Sequence, residues 1–182
     1  MSRPGSKRKT AIAPKAPLTP EERRQQTFQR AAKLLSAKSR SVAELRELLL
    51  QRQGASKAHV EEVLARLTEY GYLNDERFAL SYASAKVRQR PIGRQRLKRN
   101  LALKKVSKET ADEALDLVFA ETSESELIDR AIEKRVRLRG RPGTRAAAKS
   151  LFDHLLRQGF PFELVAEKVR AAAQANIDDD EL

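Results

Sequence analysis

The residues of this sequence with the plainest chemistry are its cations, and they are grouped. From Arg77 to Lys108 there are eleven Lys and Arg and no Asp or Glu. A second acid-free stretch, Lys134 to Phe152, holds seven, and a third, Arg23 to Ala43, holds six. Guanidinium and ammonium groups pair with phosphate oxygens through charge-assisted hydrogen bonds. Unrelieved like charge costs folding free energy through self-repulsion, and a chain that needs only solubility can intersperse both signs. Segregation repeated three times therefore points to a polyanionic partner rather than to a merely solvated surface. The candidate binding residues are Arg88, Arg90, Arg94, Arg96, Lys98 and Arg99, with Arg137, Arg139 and Arg141 as a second group. If such a strip neutralised about six phosphates of duplex DNA, affinity would fall with a log–log salt slope of about −5.

What those stretches lack narrows the partner. No Phe, Tyr or Trp occurs between Ala83 and Val118, so stacking platforms for unpaired bases are missing. Side chains that discriminate base edges are sparse there, limited to Gln89, Gln95 and Asn100. Contact with the single- or double-stranded DNA backbone, largely blind to sequence, is the expectation. A helix-turn-helix reader is the alternative, since a helix pair sits inside each repeat described below.

Catalytic chemistry finds no footing. With no Cys and two His, a thiol nucleophile is excluded and a His-based metal site or Ser-His relay is disfavoured. The seven Gly never give the G-x-x-x-x-G-K spacing of a phosphate loop. Glu61 and Glu62, like Asp112 and Glu113, are adjacent on helices and point apart, which suits surface charges. His59 reads as a first-turn residue and His154 as a packing residue beside Leu151 and Leu155. No catalytic residue, metal or cofactor is expected, and the protein reads as a non-enzyme.

The elements that must position the cations are helices. The chain of 182 residues, 20.5 kDa and net charge +12 suffices for one compact domain or a short array of modules. No apolar stretch is long enough to span a membrane, no secretory signal is present, and the absence of Cys fits a reducing cytoplasm. Start signals recur: Thr19-Pro20-Glu21-Glu22, Ser41 with Glu44, Asn74 before Asp75 and Glu76, Ser107 before Glu109, and Ser123 with Glu126. Gly54, Gly71, Gly140 and Gly159 sit where helices should stop.

About nine helices result, and they repeat. Leu45 and Leu49, Leu97 and Leu101, and Leu151 and Leu155 are i, i+4 pairs, each followed by a turn with an apolar plug and a second striped helix. Val60, Ala111 and Val165 mark the same place in each unit, 51 and 54 residues apart. Short amphipathic helices are marginal alone, so the stripes must face one another. The reading is all-α: an elongated array of three tandem three-helix modules, residues 19–73, 74–121 and 122–173, between a flexible basic arm (1–18) and an acidic tail (174–182).

Gly71-Tyr72-Leu73-Asn74-Asp75-Glu76-Arg77-Phe78-Ala79 resembles the G-Y-[LI]-[DN]-D-x-x-[FY]-A signature of the RecX family of bacterial regulatory proteins. The run Arg90 to Leu101 is loosely similar to the family's G-x-x-[RK]-[LI]-x-x-E-L segment, and Leu156 to Phe160 to its R-x-G-F pattern. Asn100 stands where the family usually has Glu, and Lys105 where it usually has Gly, without the left-handed freedom Gly would give. The resemblance, over residues 25 to 173, implies three tandem three-helix modules. It also implies a partner of the RecA recombinase filament on DNA that inhibits ATP hydrolysis and strand exchange, modulating recombination and DNA repair. The array, expected as a monomer, would lie in the filament groove. Tyr72, Phe78 and Tyr82 are expected in inter-helix packing and Asp75 at a helix start. A stand-alone, non-specific DNA-binding protein and an adaptor for an acidic protein are the rival readings.

Overall fold

The computed structural model describes residues 18–52 and 56–174. The basic arm apart from Leu18, the acidic tail apart from Gln174, and the Gly54 turn lie outside the described residues. Among the described residues there are nine helices: α1 Pro20–Ala37, α2 Val42–Leu50, α3 Lys57–Glu69, α4 Asp75–Gln89, α5 Arg94–Leu103, α6 Lys108–Glu121, α7 Glu124–Arg139, α8 Arg145–Gln158 and α9 Phe162–Gln174.

The start signals work as their chemistry requires. Thr19 Oγ1 accepts the Glu22 N–H at 3.2 Å, and the Glu22 carboxylate accepts the Thr19 N–H at 2.8 Å, closing a capping box over α1. Ser41, Asn74, Ser107 and Thr144 likewise cap α2, α4, α6 and α8 through their side chains. Gly71, Gly140 and Gly159 all take positive φ after a helix. Lys105 does too, at φ 58, so the turn that glycine would favour forms here with a lysine in it.

The helices pack in threes, α1–α3, α4–α6 and α7–α9. Each leucine pair of the repeat is buried, and so are the plugs Val106 and Phe160. The first module has its own core, formed by Ala31, Leu45, Leu49, Val60, Val63, Leu64, Leu67 and Leu73. The second and third share one continuous core running from Phe78 to Val169. Phe78 is buried and stacks on Tyr82 at 5.9 Å between ring centroids, whereas Tyr72 is 66% exposed and takes no part in inter-helix packing.

The modules join by a repeated device. Asp75, first residue of α4, accepts the N–H of Val42, first residue of α2, at 2.9 Å. Glu124, first residue of α7, accepts the N–H of Arg94, first residue of α5, at 2.8 Å. Each module thus supplies a carboxylate to an orphan donor at the start of the preceding module's middle helix. The turn ending each middle helix also abuts the start of the one before it. Lys104 O accepts the Ser41 hydroxyl at 2.5 Å, while Gln158 O and Gly159 O accept the N–H groups of Gly93 and Gln95 at 3.0 and 3.1 Å. The helices α2, α5 and α8 therefore form a spine running through the row of modules.

Candidate nucleic-acid interface

The nine cations singled out by the sequence divide into groups once the spine is in place. Arg94 and Lys98 lie one turn apart on α5 and face α6. Arg94 Nη2 reaches Asp116 Oδ1 at 2.7 Å, and Lys98 Nζ reaches both oxygens of Asp112 at 2.5 and 2.8 Å. The hydrogen bond from Lys98 holds the Asp112 carboxyl below its ordinary range, with Lys98 and Arg94 adding charge attraction against some desolvation. Arg96 turns to the third module, where its Nη1 donates to Gln158 Oε1 at 2.8 Å and to Arg157 O at 3.3 Å. These three tie the spine to its neighbours. Arg88, Arg90, Arg99, Arg137, Arg139 and Arg141 are exposed.

Two members of the separate sequence groups meet. A groove of about 350 Å³ lies where the loop after α4, the helix α7 and the end of α8 converge. Arg90 and Pro91 form one wall, Ala131, Lys134, Arg135, Leu138 and Arg139 of α7 another, and His154 and Gln158 of α8 a third. No carboxylate lines it. A second cleft, of about 230 Å³, opens between α7 and α8 beside Arg141 and Ser150 and shares Arg135 and Arg139 with the first. Arg135 donates to Ser150 Oγ at 2.9 Å. Burial, then the charges of Arg139 and Arg157, push the Arg135 guanidinium below its ordinary value. His154 is pushed down as well, by burial first and then by Arg135, Arg157, Arg139 and Arg96.

Among the groove's basic side chains, Lys134 and Arg135 are not among the nine candidates, and His154 reads from sequence only as a packing residue. Lys134 and Arg135 stood in the acid-free stretch. Their helical phase relative to Arg139, one turn or so away, was the available signal. His154 carried none beyond its helix, because its cationic neighbours come from α5, α7 and α8 together.

The comparisons agree with this architecture. Among the described residues no helix is long and apolar enough to cross a membrane. An all-helical row of three-helix modules defines a helical-repeat protein. The sequence description "RecX, second three-helix domain" matches residues 74–115. The regulatory protein RecX of Bacillus subtilis is 29% identical over 154 residues, 85% of this chain, and that of Amycolatopsis mediterranei is 29% identical over 172 residues, covering 92% of this chain and 97% of its own. The chain spans 58% of the length of the Bacillus subtilis relative. A RecX crystal structure from Lactobacillus salivarius superposes with a TM-score of 0.73 over 85% of this chain and 99% of that one, at 19% identity, which speaks to the fold. The chain is similar to RecX regulatory proteins over most of its length, and residues 74–115 match the second three-helix domain of that family.

Proposed function

We propose that this protein binds the RecA recombinase filament on DNA and inhibits its ATP hydrolysis and strand exchange, with the exposed cations of the second and third modules touching the phosphate backbone. The observation that carries the reading is the carboxylate-free groove in which Arg90 of one module and Lys134, Arg135 and Arg139 of the next converge. A nucleoprotein filament offers a periodic polyanion, and an array of modules with cations at a junction is suited to follow it. The spine supports the same reading, because it fixes the spacing between the basic surfaces of successive modules.

The test is a titration of the purified protein into recombinase on single-stranded DNA, reading ATP turnover. Turnover should fall at near-equal ratio or below. No change at tenfold excess in low salt would sink the reading. Charge reversal belongs at Arg137→Glu with Arg139→Glu, which are exposed, rather than at Arg94 and Lys98, which hold α5 to α6. The rival reading, a stand-alone DNA-binding protein, draws on the same exposed cations. It requires tight duplex binding without recombinase and a salt slope of about −5. If the reversal abolishes inhibition while duplex binding is weak from the start, the filament reading holds and the rival does not.

A further inference from the structure

The groove at the junction of the second and third modules is built unlike a solvated basic face. Its lysine and arginines come from two modules: Lys134, Arg135 and Arg139 cluster on α7, and tertiary structure brings Arg90 to them from the loop after α4. Exposed apolar surface sits among them, with Leu138 73% exposed beside Arg139. His154 lies half-buried at its floor, and the charged groups facing it are all cations: Arg96 from α5, Arg135 and Arg139 from α7, and Arg157 from its own helix. Such clustering without a counter-charge is costly, and an anion seated there would relieve it.

We propose that this groove is a phosphate-binding site. It deepens the nucleic-acid reading above and rests on it for the identity of the ligand, a backbone phosphodiester. A bound phosphate supplies the negative charge that the cluster lacks. Lys134 and Arg139 meet its oxygens from the exposed rim, Arg135 from the wall it shares with the second cleft, and Arg90 from across the junction. His154 then has reason to take up a proton and become a further donor. Phosphate binding is therefore coupled to proton uptake, and affinity rises as pH falls toward the imidazole's ordinary value of about 6.5.

The protein has two histidines, so the His154 resonance is directly readable. Imidazole titration of the full chain is followed by NMR with no ligand, with pyrophosphate, and with a short single-stranded oligonucleotide. The apparent His154 pKa should rise by about one pH unit or more on filling. A rise with the oligonucleotide assigns the phosphate to nucleic-acid backbone; a rise with pyrophosphate alone assigns the same site to a small phosphorylated molecule. No rise with either overturns the proposal.

Exposed rim variants give the second readout. Lys134→Gln with Arg139→Gln should weaken oligonucleotide binding about tenfold and lower the salt slope by about 2. The equal charge loss at Lys33→Gln with Lys38→Gln, exposed in the first module, should cost less. Equal losses from the two pairs would also overturn the site. Recombinase inhibition that survives with His154 unmoved defeats the groove and leaves the filament reading standing, whereas loss of inhibition with His154 responding does the reverse.

Discussion

The two junctions of the spine are the same joint made from different residues. Ser41 and Gly93 both cap a middle helix, and Lys105 and Gly159 both sit at positive φ in the turn that meets the cap of the preceding module. At the second junction both residues are glycine, and backbone lies on backbone. A Cβ on Gly93 would come within 2.4 Å of the Gly159 carbonyl, and one on Gly159 within 2.3 Å of the Arg96 nitrogen. At the first junction side chains fill that space. Ser41, fully buried, bonds Lys104 O, Lys104 pairs with Glu44 at 2.6 Å, and Lys105 pairs with Glu47. Close backbone approach goes with the core shared by modules two and three; the polar joint goes with a first module whose core is its own. The repeat fixes where modules meet, and the residues at the joint decide whether they fuse or articulate.

The comparison breaks most visibly at the glycines. Gly159→Ala must place a methyl into the Arg96 backbone and hold a left-handed φ of 90°. Together these should cost about 3 kcal/mol in denaturant unfolding. Gly71→Ala, at φ 72 with nothing within 4 Å of the new methyl, carries only the backbone penalty of about 1 kcal/mol. Equal losses at the two positions would mean that the second junction is not held by close approach. The first junction gives way more gently. Ser41→Ala leaves the Lys104 carbonyl and the Glu44 N–H without their hydroxyl partner in a buried place, for about 1–2 kcal/mol.

A smaller change exchanges one joint for the other. Lys105→Gly removes a left-handed lysine, a gain of about 1 kcal/mol. Against it stand an exposed ion pair to Glu47, worth up to about 1 kcal/mol, and the extra freedom of glycine in the unfolded chain. Thermal unfolding should therefore shift by less than about 1 kcal/mol either way. A loss as large as that of Gly159→Ala would show that the Lys105 pair, rather than the buried serine, holds the first junction.

Much of this fold could be read from spacing alone. The pairs at Leu45, Leu97 and Leu151 and the plugs after them declared a threefold helical repeat, because each reflects a local period of burial that recurs along the chain. The joints could not be read. Asp75 and Glu124 look like ordinary first-turn carboxylates, yet they cap backbone donors 33 and 30 residues away. Lys105 lacks glycine's left-handed freedom, yet it takes φ 58 in the turn after α5. The candidate interface was half legible for the same reason. Runs of cations showed which segments were basic, but Arg94 and Lys98 are spent on Asp116 and Asp112, and Arg90 meets Arg139 only through the fold.

The subtlest difference between the junctions is their response to acid. His154 sits beside the second junction, on the helix whose end meets Gly93, and its folded pKa lies below the ordinary value, through burial first and neighbouring cations next. The folded state therefore binds fewer protons than the unfolded state once the pH falls through about 6.5, so stability drops there and is fully present above it. His154→Gln removes that proton. Between about pH 7.5 and 5.5 the variant's stability should decline less than the parent's, the difference being smaller than the Ser41→Ala loss, in phosphate-free buffer. Adding an anion that fills the groove should shrink the parent's decline and leave the variant's curve unchanged in shape, because relief of the cationic cluster acts on the same proton. Parallel curves for parent and variant without anion would place the acid sensitivity elsewhere, and the second junction would then be no more responsive to pH than the first.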